Sequence, residues 1–321
     1  MGSLASIIIV SYNNYDITTG PCLESLVSDG KNCRHEIIVV DNDSRDGTAE
    51  KLQDFAAAHP GIKLILNSTN RGFAGGNNDG VGQAGGEHVI LLNSDTVVPP
   101  AAMDQLHELL NRNTDWGMLG PVTNQAGNEQ KIHTRSADRQ EVLADGRRWC
   151  EHSHGASYPS ERLDFFCVAM PKRVYEGLGG LDETFGRGYY EDTDFSLRAR
   201  KNGIKMYFTE DVFVYHQAGR SFSRIGKKAV RALMKENRAK LHKKHPDGVP
   251  LFHMRERNLH IMSQYVLRKK DRTAGGDDLD YKFENRLLLA REQYPNNPFK
   301  KLRHYLRLRK LRADFQFTFS G

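Results

Sequence analysis

The sequence has few cysteines and no long apolar runs. The four cysteines in 321 residues, Cys22, Cys33, Cys150 and Cys167, show no Cys-x-x-Cys spacing. That argues against a zinc ribbon or a disulfide framework and fits a reducing cytoplasm. No stretch approaches the roughly 18–20 continuous apolar residues that a spanning helix needs. The apolar run Ile7 to Val10 is too short for the core of a secretory leader, so no signal peptide is expected. Met1-Gly2-Ser3-Leu4-Ala5-Ser6 fits the myristoylation pattern formally, but Ser3 to Val10 reads as the first strand. Acidic residues are scarce in the last third. Residues 221–321 hold 25 Lys+Arg against 10 Asp+Glu, while residues 1–220 hold 21 against 30. An acidic body with a basic tail points to a polyanionic partner for the tail. No nucleic-acid module pattern accompanies the charge, so an anionic membrane surface is expected rather than nucleic acid.

Hydrophobic residues make up 38% of the chain, enough for a real core. The length suits one large α/β domain with an appendage, or two modest domains. Ser6 to Val10 and Glu36 to Val40 are short β-branched runs of the kind buried on both faces in a parallel sheet. Lys63 to Leu66 and Val89 to Leu92 read as further strands, with helical segments from Thr18 to Ser28 and from Thr48 to about His59. Strands alternating with helices imply a mostly parallel α/β sheet. A helix from about Ala101 to Asn111 and strands at Gly117–Gly120, Asp164–Met170, Lys205–Phe208 and Val212–His216 continue the pattern. Short helices are expected at Lys172–Gly177 and Phe195–Asn202, while residues 123–162 read as a long irregular connection. From Lys227 to about His245, from Leu279 to Glu292 and from Lys300 to Arg312 the tail is helical, with the first and last of these strongly basic.

Val89 to Leu92 stops at Asn93-Ser94-Asp95, and Pro99-Pro100 ends any strand beyond it. A carboxylate at the carboxyl end of a buried strand sits where open α/β sheets bind ligands. An oxygen ligand there suits Mg2+ or Mn2+, which in turn would hold a diphosphate. Alone, the tripeptide is as readily a strand-terminating turn. Two further polar strand ends, Tyr12-Asn13-Asn14 and Asp41-Asn42, fall in the same sheet, with the Gly/Asn-rich stretch Asn70 to Asn78 between. Together they imply a nucleotide pocket. Gly80-Val81-Gly82-Gln83-Ala84-Gly85 matches a dinucleotide-binding pattern but precedes a strand, whereas that fingerprint must follow one and open a helix.

The order Val-Ser-Tyr-Asn-Asn, Val-Val-Asp-Asn-Asp-Ser-x-Asp-Gly-Thr, Asn-x-Gly-Phe-Ala-Gly-Gly-Asn-Asn, Leu-Leu-Asn-Ser-Asp, Gly-Gly-Leu-Asp-Glu-x-Phe, Tyr-Glu-Asp-x-Asp and Val-x-His-x-x-Gly-x-Ser runs from about Ser6 to Ser221. This series resembles family 2 inverting glycosyltransferases with the GT-A fold, and within them bacterial rhamnosyltransferase-like members that build surface polysaccharide. The resemblance implies a Rossmann-like, mostly parallel sheet flanked by helices. It implies a nucleotide-binding role for Tyr12-Asn13 and Asp41-Asn42, with Tyr12 and Asp41 meeting the base. A carboxylate can accept the imide N–H of uracil or thymine. Asn70 and the loop Gly72 to Asn77, with Phe73 and Gly76, match positions near nucleotide and sugar. Asn93-Ser94-Asp95 matches an Asp-x-Asp metal motif with Asn in the first place, leaving Asp95 as its one carboxylate. His216 matches a further metal ligand, and Ser221 a position near the diphosphate. Glu191-Asp192 matches the acidic pair that supplies the base, with Asp192 favoured because it opens a helix whose dipole supports the ionised form. Asp194 is better placed for an i,i+4 pair with Arg198. Asp182 is acceptor-side or structural.

The expected organisation is a catalytic region over 1–225 and a basic helical region over 226–321. The implied partners are a nucleotide-diphospho-sugar donor, such as dTDP-rhamnose or a UDP-sugar, and a saccharide or lipid-linked saccharide acceptor. The implied location is cytoplasmic, peripheral on the membrane. A nucleotidyltransferase is the rival enzyme class, but Ser11 to Asn14 lacks the basic residue that would hold a triphosphate. A non-catalytic sugar-binding scaffold is the other rival, kept open by Asn93.

Overall fold

The computed structural model describes residues 5–28, 34–217, 226–247, 253–271, 273 and 278–316. In chain order the elements are β1 (Ala5–Ser11), α1 (Thr19–Val27), β2 (Glu36–Asp41), α2 (Thr48–Ala58), β3 (Ile62–Leu66), α3 (Gly72–Gly82), β4 (His88–Asn93) and β5 (Thr96–Val97). Then come α4 (Ala102–Arg112), β6 (Trp116–Val122), α5 (Arg139–Glu151), β7 (Ser157–Pro159), β8 (Cys167–Pro171), α6 (Lys172–Gly177), α7 (Glu191–Lys201), β9 (Lys205–Phe213) and β10 (Tyr215–His216). Four helices follow: α8 (Lys227–Lys244), α9 (Met254–Lys270), α10 (Leu279–Glu292) and α11 (Pro298–Gln316).

Eight strands form one sheet in the order β3-β2-β1-β4-β8-β6-β9-β7. The left half is parallel, as the alternation of strands and helices implies. β8 runs antiparallel to both β4 and β6. β1 shows why the two faces fill. Ile8 packs with Val81 and Leu91 in one layer, while Ile7 and Ile9 pack with Leu23 and Leu106 in the other. The strand period of two sends neighbours to opposite faces, so a continuous apolar run is what a doubly covered strand requires. Ile8 is fully buried, and truncating it to Ala would cost about 2–5 kcal/mol.

Register fixes the polar edge. Ser11 pairs with Asp41, and Val10 pairs with Asn93. The carboxyl ends of β1, β2 and β4 therefore finish at one level. The Asn93 N–H donates to the Phe166 carbonyl, which brings the chain before β8 to that same edge.

Several expectations are corrected. The stretch 72–77 is the start of α3, not a loop. Glycine is needed at 76 and 80 because the helix lies directly on β1: an added Cβ would sit 2.7 Å from Val10 and 2.3 Å from Ile8. Residues 123–162 are not wholly irregular, since they contain α5 and β7. Asp138 caps α5, accepting from the N–H groups of Gln140 and Glu141, and Trp149 is fully buried. With so few apolar residues on α5, its helical period is hard to see. The two late strands expected from Lys205 to His216 are the single long β9 plus the short β10. The strand expected from Asp164 begins at Cys167. α9 was not expected at all.

The C-terminal helices share the core of the sheet. Leu259, Met262 and Tyr265 of α9 and Phe283 and Leu287 of α10 join Trp149 and Phe208 in one apolar cluster. Glu210 of β9, fully buried, lies 2.9 Å from the Lys282 ammonium and 3.1 Å from the Arg286 guanidinium. Arg257 pairs with the buried Glu129 at 2.6 Å. Buried charges survive only when partnered in this way.

Candidate functional site

The polar strand ends surround a shared edge. Tyr12 lies half-buried just past β1. Asn13 and Asn14 take left-handed backbone conformations with φ of 57° and 61°, which asparagine tolerates best among non-glycine residues. Asn13 is committed to the scaffold: its N–H donates to Ser44 Oγ and its side-chain oxygen accepts from the Arg45 N–H. Asp41 accepts from the Ser44 N–H through Oδ2, while its buried Oδ1 has no partner. Asn42 donates to the Gly72 carbonyl and accepts from the Arg71 N–H, and Asn70 accepts from the Gly72 N–H. These side chains hold the entrance of α3. Gly72 has φ of 69°, and an added Cβ there would collide with the Gly186 carbonyl. Asn77 is buried and donates to the Phe73 carbonyl inside α3.

At the end of β4 the Asn93 side-chain oxygen is buried without a partner. Ser94 and Asp95 are buried beside it. The ribbon β5–β10 pairs Thr96 with His216, and that register brings His216 Nε2 to 3.4 Å from Asp95 Oδ1. The ring is clamped. Asn124 exchanges hydrogen bonds with the His216 backbone on both sides, and Nδ1 lies 3.0 Å from the Gln125 carbonyl. The Gln125 carbonyl thus fixes Nδ1 and leaves Nε2 as the ring atom that faces Asp95, the kind of second contact that orients a metal-binding imidazole. Phe166 stacks on the other side of the ring. Burial pulls the His216 pKa down, but the Asp95 carboxylate, with the Gln125 carbonyl and Asp164 adding to it, raises it overall. An orphan oxygen, a carboxylate and an oriented imidazole are a donor set that fits a hard divalent cation. Among the described residues no group of three or more His, Cys, Asp or Glu side chains could hold a metal.

A cleft of about 490 Å3 opens beside this edge, and its lining includes Phe73, Asn93, Arg162, Tyr189, Tyr190, Glu191, Asp192 and His216. The acidic pair opens α7. Tyr189 and Tyr190 before it have φ of 73° and 78°, a strained conformation for residues with a Cβ. Burial and the neighbouring Asp192 charge push Glu191 up to about 8, so it holds its proton at neutral pH. Burial raises Asp192 too, but the Arg162 guanidinium opposes that rise. Both carboxyls are therefore pushed up by burial, and Asp192 is the one with a cation acting against the rise, the kind of asymmetry that can separate the roles of two carboxyls. Asp192 accepts from the Thr193 N–H. Arg162, paired with Asp164 at 2.8 Å, is the last residue of the stretch 123–162 that reads as a long irregular connection, and nothing in the local sequence marks it.

The loop before α7 is braced by α8. Asn237, fully buried, donates through Nδ2 to the carbonyls of Phe185 and Gly188 at 2.7 and 2.9 Å, and to that of Tyr189 at 3.1 Å. One turn on, Leu241 packs with Phe185 and Leu197. One further turn on, His245 lies 2.8 Å from Asp194, which Arg198 also meets at 2.8 Å and Lys244 at 2.9 Å. The pairing of Asp194 with Arg198 is the one that the i,i+4 spacing implies. Lys244 also pairs with Asp182, whose N-cap oxygen accepts from the Thr184 N–H. Ser221 lies outside the described residues.

A family model described as "Glycosyl transferase family 2" matches residues 6–162. A hexosyltransferase of low-salt glycan biosynthesis, Agl10 of Haloferax volcanii, is 27% identical over 179 residues, covering 53% of this chain and 55% of that protein. A putative glycosyltransferase of Bacillus subtilis, EpsE, is 25% identical over 205 residues, covering 62% and 68%. The chain thus spans a little over half the length of the Haloferax relative. Among solved structures, the mannosyltransferase PcManGT of Pyrobaculum calidifontis, in complex with GDP-Man and Mn2+, aligns with a TM-score of 0.53 at 19% identity, over 97% of this chain and 75% of that one. GalNAc-T7 with UDP, GalNAc and Mn2+ aligns at 0.54 and 19%, over 67% of this chain and 44% of that one. The architecture is the GT-A fold.

Proposed function

We propose, for a chain whose residues 6–162 are a glycosyl transferase family 2 domain, an inverting transfer of a sugar from a nucleotide-diphospho donor to a hydroxyl of a saccharide or lipid-linked saccharide. The donor is dTDP-rhamnose or a UDP-sugar, and the product is bacterial surface polysaccharide. The observation that carries the reading is the convergence of Asn93 and His216 with Glu191 and Asp192 on one cleft. Asp41 Oδ1, buried and unpartnered, suits the imide N–H of a pyrimidine base, and Tyr12 follows directly on Ser11, the strand partner of Asp41. Asp95, His216 and the Asn93 oxygen would hold Mg2+ or Mn2+. Such an ion, when bound, offsets charge on a leaving diphosphate. Both solved relatives described above carry Mn2+.

The acceptor hydroxyl gives its proton to Asp192 as its oxygen bonds to C1 of the sugar. The bond from C1 to the diphosphate oxygen breaks on the opposite face, so the configuration inverts. Glu191 keeps its proton throughout and limits the negative charge beside the approaching hydroxyl. Arg162 stabilises the Asp192 anion beforehand. A lipid-linked acceptor would hold the enzyme at the cytoplasmic face of a membrane. No helix among the described residues is long and apolar enough to cross one.

The test is a panel of UDP-, dTDP- and GDP-sugars, scored by thermal stabilisation and donor hydrolysis with Mn2+ or with EDTA. One donor should stabilise the protein only with metal, and Asp95→Ala should abolish that effect. Full activity in EDTA, or unchanged turnover in Asp95→Ala, contradicts the metal assignment. Asn93 in place of a carboxylate favours one second reading, a sugar-nucleotide-binding scaffold. That reading predicts metal-dependent stabilisation with no turnover of any donor.

A further inference from the structure

We propose that the outward face of α11 docks on an anionic lipid surface. This helix has two apolar faces. The inner one carries His304, Leu308 and Phe315, all buried. Phe315 stacks on Phe283 of α10 with ring centroids 4.0 Å apart, and His304 Nε2 lies 3.1 Å from the Ala290 carbonyl. Those contacts fix the helix on the body of the protein. The outer face carries Phe299, Leu302, Tyr305 and Leu306, which are 84%, 57%, 49% and 52% exposed. Spacings of three, four and seven residues line them along one side of an α-helix, away from the buried row.

An apolar stripe left in water on a helix already packed by its other face needs a partner to cover it. The charge beside the stripe says which. Lys300, Lys301, Arg303, Arg307, Arg309, Lys310 and Arg312 are all exposed; by helical spacing Lys300, Arg303, Arg307 and Lys310 fall on one flank of the stripe, Lys301 and Arg312 on the other, and Arg309 within it. Arg307 and Arg312 also reach Glu256 and Glu284. Apolar residues entering the acyl boundary, with long cationic side chains reaching headgroup phosphates on either side, is the geometry of an interfacial helix. A protein partner would have to match a cationic rim on both sides, whereas an anionic leaflet does so at any rotation about its normal. The proposal stands apart from the sugar chemistry: failure of donor turnover would leave vesicle binding unchanged, and the reverse also holds.

The experiment is flotation of the full chain with vesicles of phosphatidylcholine alone and with added phosphatidylglycerol, at low and high salt. The same assay is run on Leu302→Ser/Leu306→Ser, whose exposed positions leave the inner face intact. Binding should appear on the anionic vesicles and fade with salt, since surface attraction is screened beyond a Debye length of about 10 Å at 0.1 M. The double variant should partition at least about tenfold more weakly, because two leucines no longer leave water. Its melting temperature should match the parent. Equal binding of parent and variant, or no binding of the parent at low salt, overturns the proposal. So does a concentration-dependent dimer that the same substitutions abolish, because the stripe would then be covered by a second copy.

Discussion

α8 and α11 share one composition, basic with a thin scatter of apolar residues, and they do opposite things. On α8 and its C-cap the row that matters is Asn237, Leu241 and His245, spaced by four and turned inward onto the loop before α7 and onto α7, the helix that Glu191 and Asp192 open. On α11 the inward row only anchors the helix, and a second apolar row faces water. Net charge therefore says little about a helix's role. The few residues that are not charged decide it: on α8 a buried amide meets three carbonyls, and on α11 leucines between cations stay exposed, the face for which docking is proposed.

The brace on α8 bears on chemistry through the acidic pair that opens α7. The largest expected effect is accordingly on Asp192. Asp192→Asn keeps the shape and removes the base, so transfer should fall at least about a hundredfold while donor affinity stays unchanged. Glu191→Gln copies the protonated form that burial already imposes and should stay within about threefold of the parent, since its proton is not transferred. Single-turnover transfer with donor titration checks both. Normal transfer by Asp192→Asn together with loss in Glu191→Gln would exchange the two roles.

A smaller effect separates the ion pairs of the two helices. His245 and Asp194 are both buried, so His245→Leu should lower unfolding free energy by about 1.5–3 kcal/mol, the range for a hydrogen bond to a charged group. Arg307 and Glu256 are exposed, so Arg307→Met should cost less than about 1 kcal/mol. Denaturant midpoints at constant slope measure both. Equal costs would mean that α8 is held no more firmly than α11.

The smallest effect defines the pH at which to compare the helices. At the amino edge of the sheet His88 Nδ1 lies 2.9 Å from His107 Nδ1, and His35 lies 2.9 Å from Asp104. Burial, with His107 adding to it, holds His88 down to about 4, and burial also lowers His35. A histidine whose folded pKa is depressed favours the neutral fold. Its contribution is complete above the unfolded value near 6.5 and fades as pH falls towards 4. Melting temperature should drop by a few degrees between pH 7 and pH 5, and His88→Gln should flatten that slope. An unchanged slope in the variant would move the acid sensitivity elsewhere.

The same contrast explains what could be read in the sequence. The left half of the sheet is written locally: Ile7 to Val10, Glu36 to Asp41 and Val89 to Leu92 are β-branched or leucine-rich runs, each ending in polar residues, and register then aligns those ends. The candidate residues Asn93, Glu191, Asp192 and His216 are legible as motifs, and all four line one cleft. Arg162 and Asn237 are not legible, because their roles come from distant partners. Arg162 matters through Asp192, thirty residues on, and Asn237 through carbonyls about fifty residues earlier. α5 is harder to read because its buried row, Val142, Asp145, Gly146 and Trp149, has only two large apolar members, whereas α9 does carry Leu259, Met262 and Val266 at helical spacing, set among basic residues at both ends of the helix.

The most direct test sets one variant from each helix side by side in a single assay, turnover of the identified donor in lipid-free solution above pH 7. Asn237→Ala removes the amide that holds the loop; Leu302→Ser/Leu306→Ser removes only outward leucines. Asn237→Ala should lower kcat at least about tenfold with donor affinity retained, the loss expected when a catalytic group is misplaced by a fraction of an ångström. The α11 variant should turn over at the parental rate. Parental turnover in Asn237→Ala, or an equal fall in both variants, would contradict the division of labour between the two helices.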